Sequence, residues 1–152
     1  AEAASEFVRA VFLRHIAPLY EQEGVAEFLA YAAPGAIEER ALSGRTIIMA
    51  WPRADQEGAA PVGLIECRDA HHISLLFVET DHQRQGIARE LLRRALSLCR
   101  ERQPCLRQVD VNASPNAVRA YERLGFKRQG NERTENGIRF VPMVLDLEPG
   151  DR

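Results

Sequence analysis

Apolar residues recur at helical spacing over the first sixteen positions. Phe7, Val8, Val11, Phe12 and Ile16 form one stripe, Ser5 stands where it can cap the helix, and Pro18 ends it. Val25, Phe28 and Leu29 predict a second, short helix with Pro34-Gly35 as its stop. The pattern then becomes strand-like in Thr46–Trp51 and Pro61–Cys67, with the polar Pro52–Gly58 segment between them as a hairpin loop. Asp69-Ala70 turns the chain into a third strand, His72 to Glu79, whose alternation puts His72, Ser74, Leu76 and Val78 on one face.

Helical spacing returns at Ile87, Leu91, Ala95 and Leu98, with Leu92 and Cys99 beside that stripe and Arg89, Arg93, Arg94 and Arg100 outside it. Pro104 ends this helix, and Leu106–Val111 reads as a short strand. Ser114-Pro115 pairs an N-cap residue with proline at the first helical position. The inward stripe there is Ala117, Ala120, Tyr121 and Leu124, and Gly125 is the stop. Phe126–Arg128 and Ile138–Leu147 read as closing strands around an Asn136-Gly137 turn. This order predicts a mixed α/β domain with a mostly antiparallel sheet.

Composition narrows the function classes. The chain has 152 residues, 45% apolar and 28% charged, which fits one folded domain over residues 1–152 and excludes a disordered or low-complexity chain. Cys67, Cys99 and Cys105 are odd in number and form no C-x-x-C pair, against a disulfide framework or a zinc site. They are expected as core thiols in a reducing compartment. No signal-peptide pattern opens the chain, and the longest apolar run, Ile73–Val78, is strand-sized. No membrane partner and a cytoplasmic location are the expectation. His71 and His72 are adjacent and point to opposite faces of a strand, so no metal site is expected.

A net charge of −2 gives no global attraction for nucleic acid, and none is expected as a partner. One local exception stands out: seven arginines face only Glu90 and Glu101 between Arg84 and Arg107. That excess begins where a strand ends and a helix opens, at Gln83-Arg84-Gln85-Gly86-Ile87-Ala88. Backbone N–H groups at a helix start lack intrahelical partners and carry the positive end of the dipole. A glycine there lets an anion approach, and the segment reads as a pyrophosphate cradle. Neither the P-loop pattern nor the three-glycine dinucleotide fingerprint is present.

Gln83, Gly86 and Ala88 meet the pattern Q/R-x-x-G-x-G/A directly after a strand ending Phe77-Val78. Val109-Asp-Val-Asn112, Ser114-Pro-Asn-Ala117 and Tyr121-Glu-Arg-Leu-Gly-Phe126 follow at matching separation. In these motifs the sequence resembles the GNAT superfamily of N-acetyltransferases, with element order agreeing from about Phe7 to Leu147. The resemblance implies a central, mostly antiparallel twisted sheet of six to seven strands with about four helices, two central strands splaying to form a CoA cleft. It also implies acetyl transfer from acetyl-CoA, as co-substrate, to a primary amine in a ternary complex. A non-catalytic acyl-CoA-binding or regulatory domain is the alternative, and a homodimer is compatible with the resemblance.

Each matched residue then carries an implied role. The backbone of Phe77 and Val78 would pair with the pantetheine arm, and the Val78 N–H would face the thioester oxygen. Gln83, Arg84, Gln85, Gly86, Ile87 and Ala88 would hold the pyrophosphate, and Asn112 and Asn116 would contact the cofactor. The Tyr121 phenol would protonate the departing thiolate. His72 falls where several relatives carry a glutamate or histidine and is the first candidate for general base, with Glu79 and Glu66 as rivals. Glu21, Glu23, Glu27, Glu38 and Glu39 would favour a cationic small-molecule or peptide amine, or else form solvated helix faces.

Overall fold

The computed structural model describes residues 1–53 and 57–148, so the centre of the expected Pro52–Gly58 loop lies outside the described residues. Three helices come first: α1 (Glu2–His15), α2 (Gln22–Tyr31) and α3 (Pro34–Leu42). β1 (Thr46–Ala50), β2 (Gly63–Arg68) and β3 (His72–Val78) lead into α4 (Ile87–Arg102). β4 (Gln108–Ala113), α5 (Val118–Arg123), β5 (Lys127–Arg128), β6 (Arg133–Glu135) and β7 (Ile138–Asp146) complete the order. The strands lie as β1-β2-β3-β4-β7-β5, with β6 on β7. Only the β3–β4 pairing is parallel.

Three local expectations change. Pro34 opens a helix instead of stopping one, because proline at the first helical position forfeits no hydrogen bond. Only Ile37 of α3 is buried, so no apolar stripe marks it in the sequence. Ser5 lies inside α1, where its hydroxyl donates to the Ala32 carbonyl at 2.6 Å and fastens α1 to the end of α2. The α4 stripe turns slightly, burying Cys99 and leaving Leu98 outside.

Smaller shifts follow in the second half. After a 3₁₀ turn over Pro115–Ala117, Val118 and Tyr121 are the buried positions of α5, and Ala120 faces out. Cys105 is exposed, so only Cys67 and Cys99 are core thiols. The Asn136-Gly137 turn joins β6 to β7, with both residues left-handed (φ +53° and +76°), as the right-handed twist of a two-residue hairpin demands.

Two cores sandwich the sheet. α4 and α5 cover one face with Leu91, Leu92, Ala95, Val118 and Tyr121 against Ile65, Ile73, Val109, Val111 and Met143. α1 and α3 cover part of the other face, laying Phe7, Val8, Val11 and Ile37 against Leu64 and Leu75.

β3 changes phase in its middle. Consecutive Glu66 and Cys67 face Leu75 and Ile73, so Ser74 is an extra residue, a β-bulge. Ile73 and Leu76 therefore join the α4–α5 core, whereas Leu75 and Phe77 join the α1–α3 core. The uniform alternation expected through His72, Ser74, Leu76 and Val78 breaks there. Parallel pairing with β4 stops at the same place, after two rungs, His72–Asp110 and Ile73–Val111.

Candidate active site

Beyond those rungs β3 stays with β2 as far as Val78–Gly63, and β4 stays with β7 as far as Ala113–Val141. The gap between them is a cleft in the middle of the sheet. Its chemistry follows from which amides face it. The Glu79 N–H bonds the Val62 carbonyl at 2.8 Å, flanking the Gly63–Val78 pair. In an antiparallel ladder that makes Gly63–Val78 a non-hydrogen-bonded pair, with the Val78 amide turned away from β2.

The Leu76 amide, two residues back, turns the same way, and the Phe77 amide stays in the ladder opposite Leu64. Of the two residues expected to offer backbone to a ligand, Val78 turns its amide to the gap, and Leu76 does so where Phe77 does not. The bulge sets this phase, and nothing in the local sequence marks it. Phe77 contributes its ring, 6.1 Å from that of Phe28.

The cradle forms at the end of the same strand. Gln83 Nε2 donates to the Val78 carbonyl at 3.1 Å, folding the loop back onto β3. Arg84 (φ +63°) and Gly86 (φ +81°) are both left-handed and swing the chain into α4. The first amide of α4 with an intrahelical acceptor is that of Glu90, bonded to the Gly86 carbonyl at 3.0 Å. The amides of Ile87, Ala88 and Arg89 are thus left without intrahelical acceptors. A Cβ on Gly86 would meet nothing within 4 Å, so the space before these amides is open.

Free N–H groups, the positive helix end and room for a bulky anion are what a pyrophosphate needs, and the fit is good. Exposed Arg84 and Gln85 flank it. Part of the local positive excess is internal: Arg93 and Arg94 pair with Glu90 at 2.7 and 2.9 Å and hold its carboxyl down to about 2. A cavity of about 730 Å³ is lined by Gln85, Gly86 and Ile87 together with Ile48, Ala50 and Trp51 at the β1 edge.

Tyr121 lies in the α4–α5 core, edge-on to Phe126 at 5.3 Å. Burial raises its phenol above the ordinary value of 10, and the Cys67 thiol adds to the shift. α5 follows β4, and its Tyr121 packs in the core that lies under both β3 and β4.

The three candidate bases have different fates. Glu66 is 1% exposed and fully engaged: Arg40 donates to both its oxygens at 2.9 and 3.2 Å, and Arg45 and the Tyr31 hydroxyl donate at 2.8 Å each. It is a structural anion. Glu79 pairs with Arg14 at 2.7 Å and accepts from the Thr80 amide at 3.3 Å. His72 hydrogen-bonds Asp110 through Nδ1 alone, on the first parallel rung, at the closed end of the cleft. Asp110, inside the Val109–Asn112 motif, is a partner that the sequence alone did not single out.

The two asparagines separate. Asn112 is exposed on the splayed part of β4, with its side chain on the same face as that of Asp110. Asn116 is tied elsewhere: its Nδ2 donates to the His15 carbonyl at 3.0 Å, and its Oδ1 accepts from Ser114 at 2.7 Å. These bonds strap the start of α5 to the end of α1. His15 Nε2 also bonds the Thr80 hydroxyl at 2.7 Å, so α1 touches both lips of the cleft.

Among the described residues no cluster of His, Cys, Asp or Glu is suited to a metal ion, and no helix is long and apolar enough to cross a membrane.

This architecture has relatives. The uncharacterized N-acetyltransferase YafP of Escherichia coli K12 is 33% identical over 92 residues, which span 60% of this chain and 56% of that protein. A GCN5-related N-acetyltransferase of Rhodopseudomonas palustris superposes with a TM-score of 0.67 at 23% identity, covering 94% of this chain and 89% of its own. The PaiA N-acetyltransferase of Thermoplasma acidophilum, solved with coenzyme A, gives 0.70 at 16% identity, covering 96% and 92%. The acetyltransferase (GNAT) domain family matches residues 16–147, a span that holds the bulged strand, the cleft and the helix-start cradle together. By that match the chain belongs to the GNAT acetyltransferase family.

Proposed function

We infer that this protein transfers an acetyl group from acetyl-CoA to a primary amine by direct attack. The observation that carries this reading is the cleft itself: two inward amides on β3 and an open anion cradle at the strand's end, with the Tyr121 phenol in the core beneath the sheet. Acetyl-CoA supplies a thioester. The amides of Ile87, Ala88 and Arg89, with Arg84 and Gln85 beside them, hold its pyrophosphate. The Leu76 and Val78 N–H groups receive the pantetheine arm as an added strand and face the thioester oxygen, where negative charge grows in the transition state.

His72 Nε2 takes a proton from the amine as the N–C bond forms. Tyr121 gives its proton to sulfur as the C–S bond breaks, and water returns the proton from His72 to Tyr121. Burial keeps the phenol loaded across neutral pH. The same burial raises the basicity of a thiolate beside it, so donor and acceptor stay matched. Asn112, exposed on the splayed part of β4, contacts the pantetheine arm.

The test is thiol release by the purified protein with acetyl-CoA over spermidine, L-lysine, kanamycin and a peptide with a free N-terminus, alongside calorimetric binding of acetyl-CoA. Binding with turnover of at least one amine is expected. Binding without release from any amine would leave a non-catalytic acyl-CoA-binding domain, and failure to bind would overturn the cleft assignment.

A further inference from the structure

His72 and Asp110 meet on the first of only two rungs that join β3 to β4, just before the bulge parts the strands. An ionised carboxylate accepts and cannot donate, so the bond between Nδ1 and Asp110 Oδ1 places the imidazole proton on Nδ1. Nε2 is then the nitrogen with the lone pair. Among the described residues the one buried side-chain polar atom lacking a partner is His82 Nδ1, so Nε2 of His72, which has no partner either, reaches solvent.

We propose that Asp110 is a positioning residue for the transfer: it holds the His72 ring by Nδ1 and leaves Nε2 free to take the amine's proton. This rests on the reading of His72 as the base. The carboxylate also faces the imidazolium that forms when the proton moves, so it acts most strongly when the charge is present.

The surrounding groups leave that role to Asp110. From β2, Arg68 stands opposite His72, half exposed and 3.5 Å from Asp69. From the preceding turn, the His71 Nδ1 lies 3.5 Å from the second Asp110 oxygen. From β7, the residue opposite Asp110 is the apolar Val144. Arg45 meets Ser74 at 3.4 Å, and its charge is held by Glu66 at 2.8 Å. Among the described residues Asp110 is therefore the sole carboxylate bonded to the ring. Asn112 follows two residues further along the same face of β4.

The test is a double-mutant cycle of Asp110→Ala and His72→Ala, read as thiol release from acetyl-CoA with whichever of spermidine, L-lysine or a free-N-terminus peptide turns over. Asp110→Ala is expected to lower kcat about 10²-fold, the lower end of what general acid–base catalysis supplies. The KM for acetyl-CoA stays within about twofold, and the acid limb of the kcat profile moves to lower pH. In the His72→Ala background the same change costs less than about twofold. An equal cost in both backgrounds, or an unmoved acid limb, overturns the proposal.

Asp110 is 42% exposed, so the variant is expected to fold, and a readout independent of turnover accompanies it. Side-chain nitrogen NMR should show His72 as the Nδ1–H tautomer in the wild type and shifted toward Nε2–H in Asp110→Ala. A tautomer that does not respond overturns the positioning role on its own. A wild type that turns over none of these amines, nor kanamycin, while the tautomer responds overturns the base role and the reading it rests on.

Discussion

Gly24 of α2 and Gly137 of the β6–β7 turn touch backbone to backbone: a Cβ on Gly24 would stand 2.2 Å from the Gly137 carbonyl oxygen. A carbonyl in a tight turn has nowhere to retreat. Gly24→Ala should therefore cost about 1–3 kcal/mol, the usual range for overpacking. That corresponds to a fall of about 2–12 °C in thermal midpoint for a domain of this size. In the functional reading α2 and the hairpin wall the amine side, so the KM for the amine should rise more than that for acetyl-CoA. An unchanged midpoint would mean that the hairpin does not rest on α2.

Gly86→Glu places a carboxylate in the open space before the α4 amides. It also imposes a left-handed backbone on a residue with a Cβ, at about 1–2 kcal/mol. Calorimetry should find acetyl-CoA binding lost, while circular dichroism at 25 °C stays that of the wild type. Retained affinity would remove the cradle from these amides.

Tyr121→Phe should lower kcat by about 10²–10⁴ with acetyl-CoA affinity near normal, on the scale of general-acid effects. The same residue has a signature without substrate. Its folded-state phenol holds its proton to higher pH than the ordinary value of 10, through burial and the nearby Cys67 thiol. The stability it contributes is complete below pH 10 and drains away as pH rises from there toward the folded value. Urea midpoints should fall from pH 10 upward, and less steeply in Tyr121→Phe. Parallel curves would mean that the phenol ionises freely in the folded chain.

Glu66→Gln tests the rival base. Removing the anion leaves Arg40 and Arg45, 12% and 21% exposed, without their buried counter-charge, a loss of about 3–5 kcal/mol for a broken buried pair. The acid limb of kcat should persist in the molecules that remain folded, because both carboxylate oxygens are already committed to donors. A limb that vanishes with Glu66 would return this residue to the chemistry.

What could be read from the sequence follows from how local the causes are. The α4 helix and the Asn136-Gly137 turn are each written in a few consecutive residues, and each stands in the structure, as does the glycine-opened helix start at Gln83–Ala88. α3 escaped because it buries a single side chain, Ile37, and opens on a proline that looks like a stop. The bulge at Ser74 escaped because a bulge is a mismatch between two strands, and neither strand states it alone. The replacement of Phe77 by Leu76 among the inward amides is its direct result. Asn116 escaped in the same manner, since its partner carbonyl is 101 residues away.

The two rungs between β3 and β4 are all the backbone ladder that joins β1–β3 to β4–β7. Mechanically the sheet is a pair of leaves on a spine two residues long. The core beneath α4 and α5 runs under both leaves, so any opening hinges on that side. On the other side the leaves are spanned by the end of α1, through His15 to Thr80 and Asn116. Those two hydrogen bonds are worth about 0.5–1.5 kcal/mol each, and α2 adds a second bridge on that side, with Gly24 backed against the Gly137 carbonyl. The width of the cleft is therefore set by how the helices pack across the two leaves, not by the sheet's own hydrogen bonds.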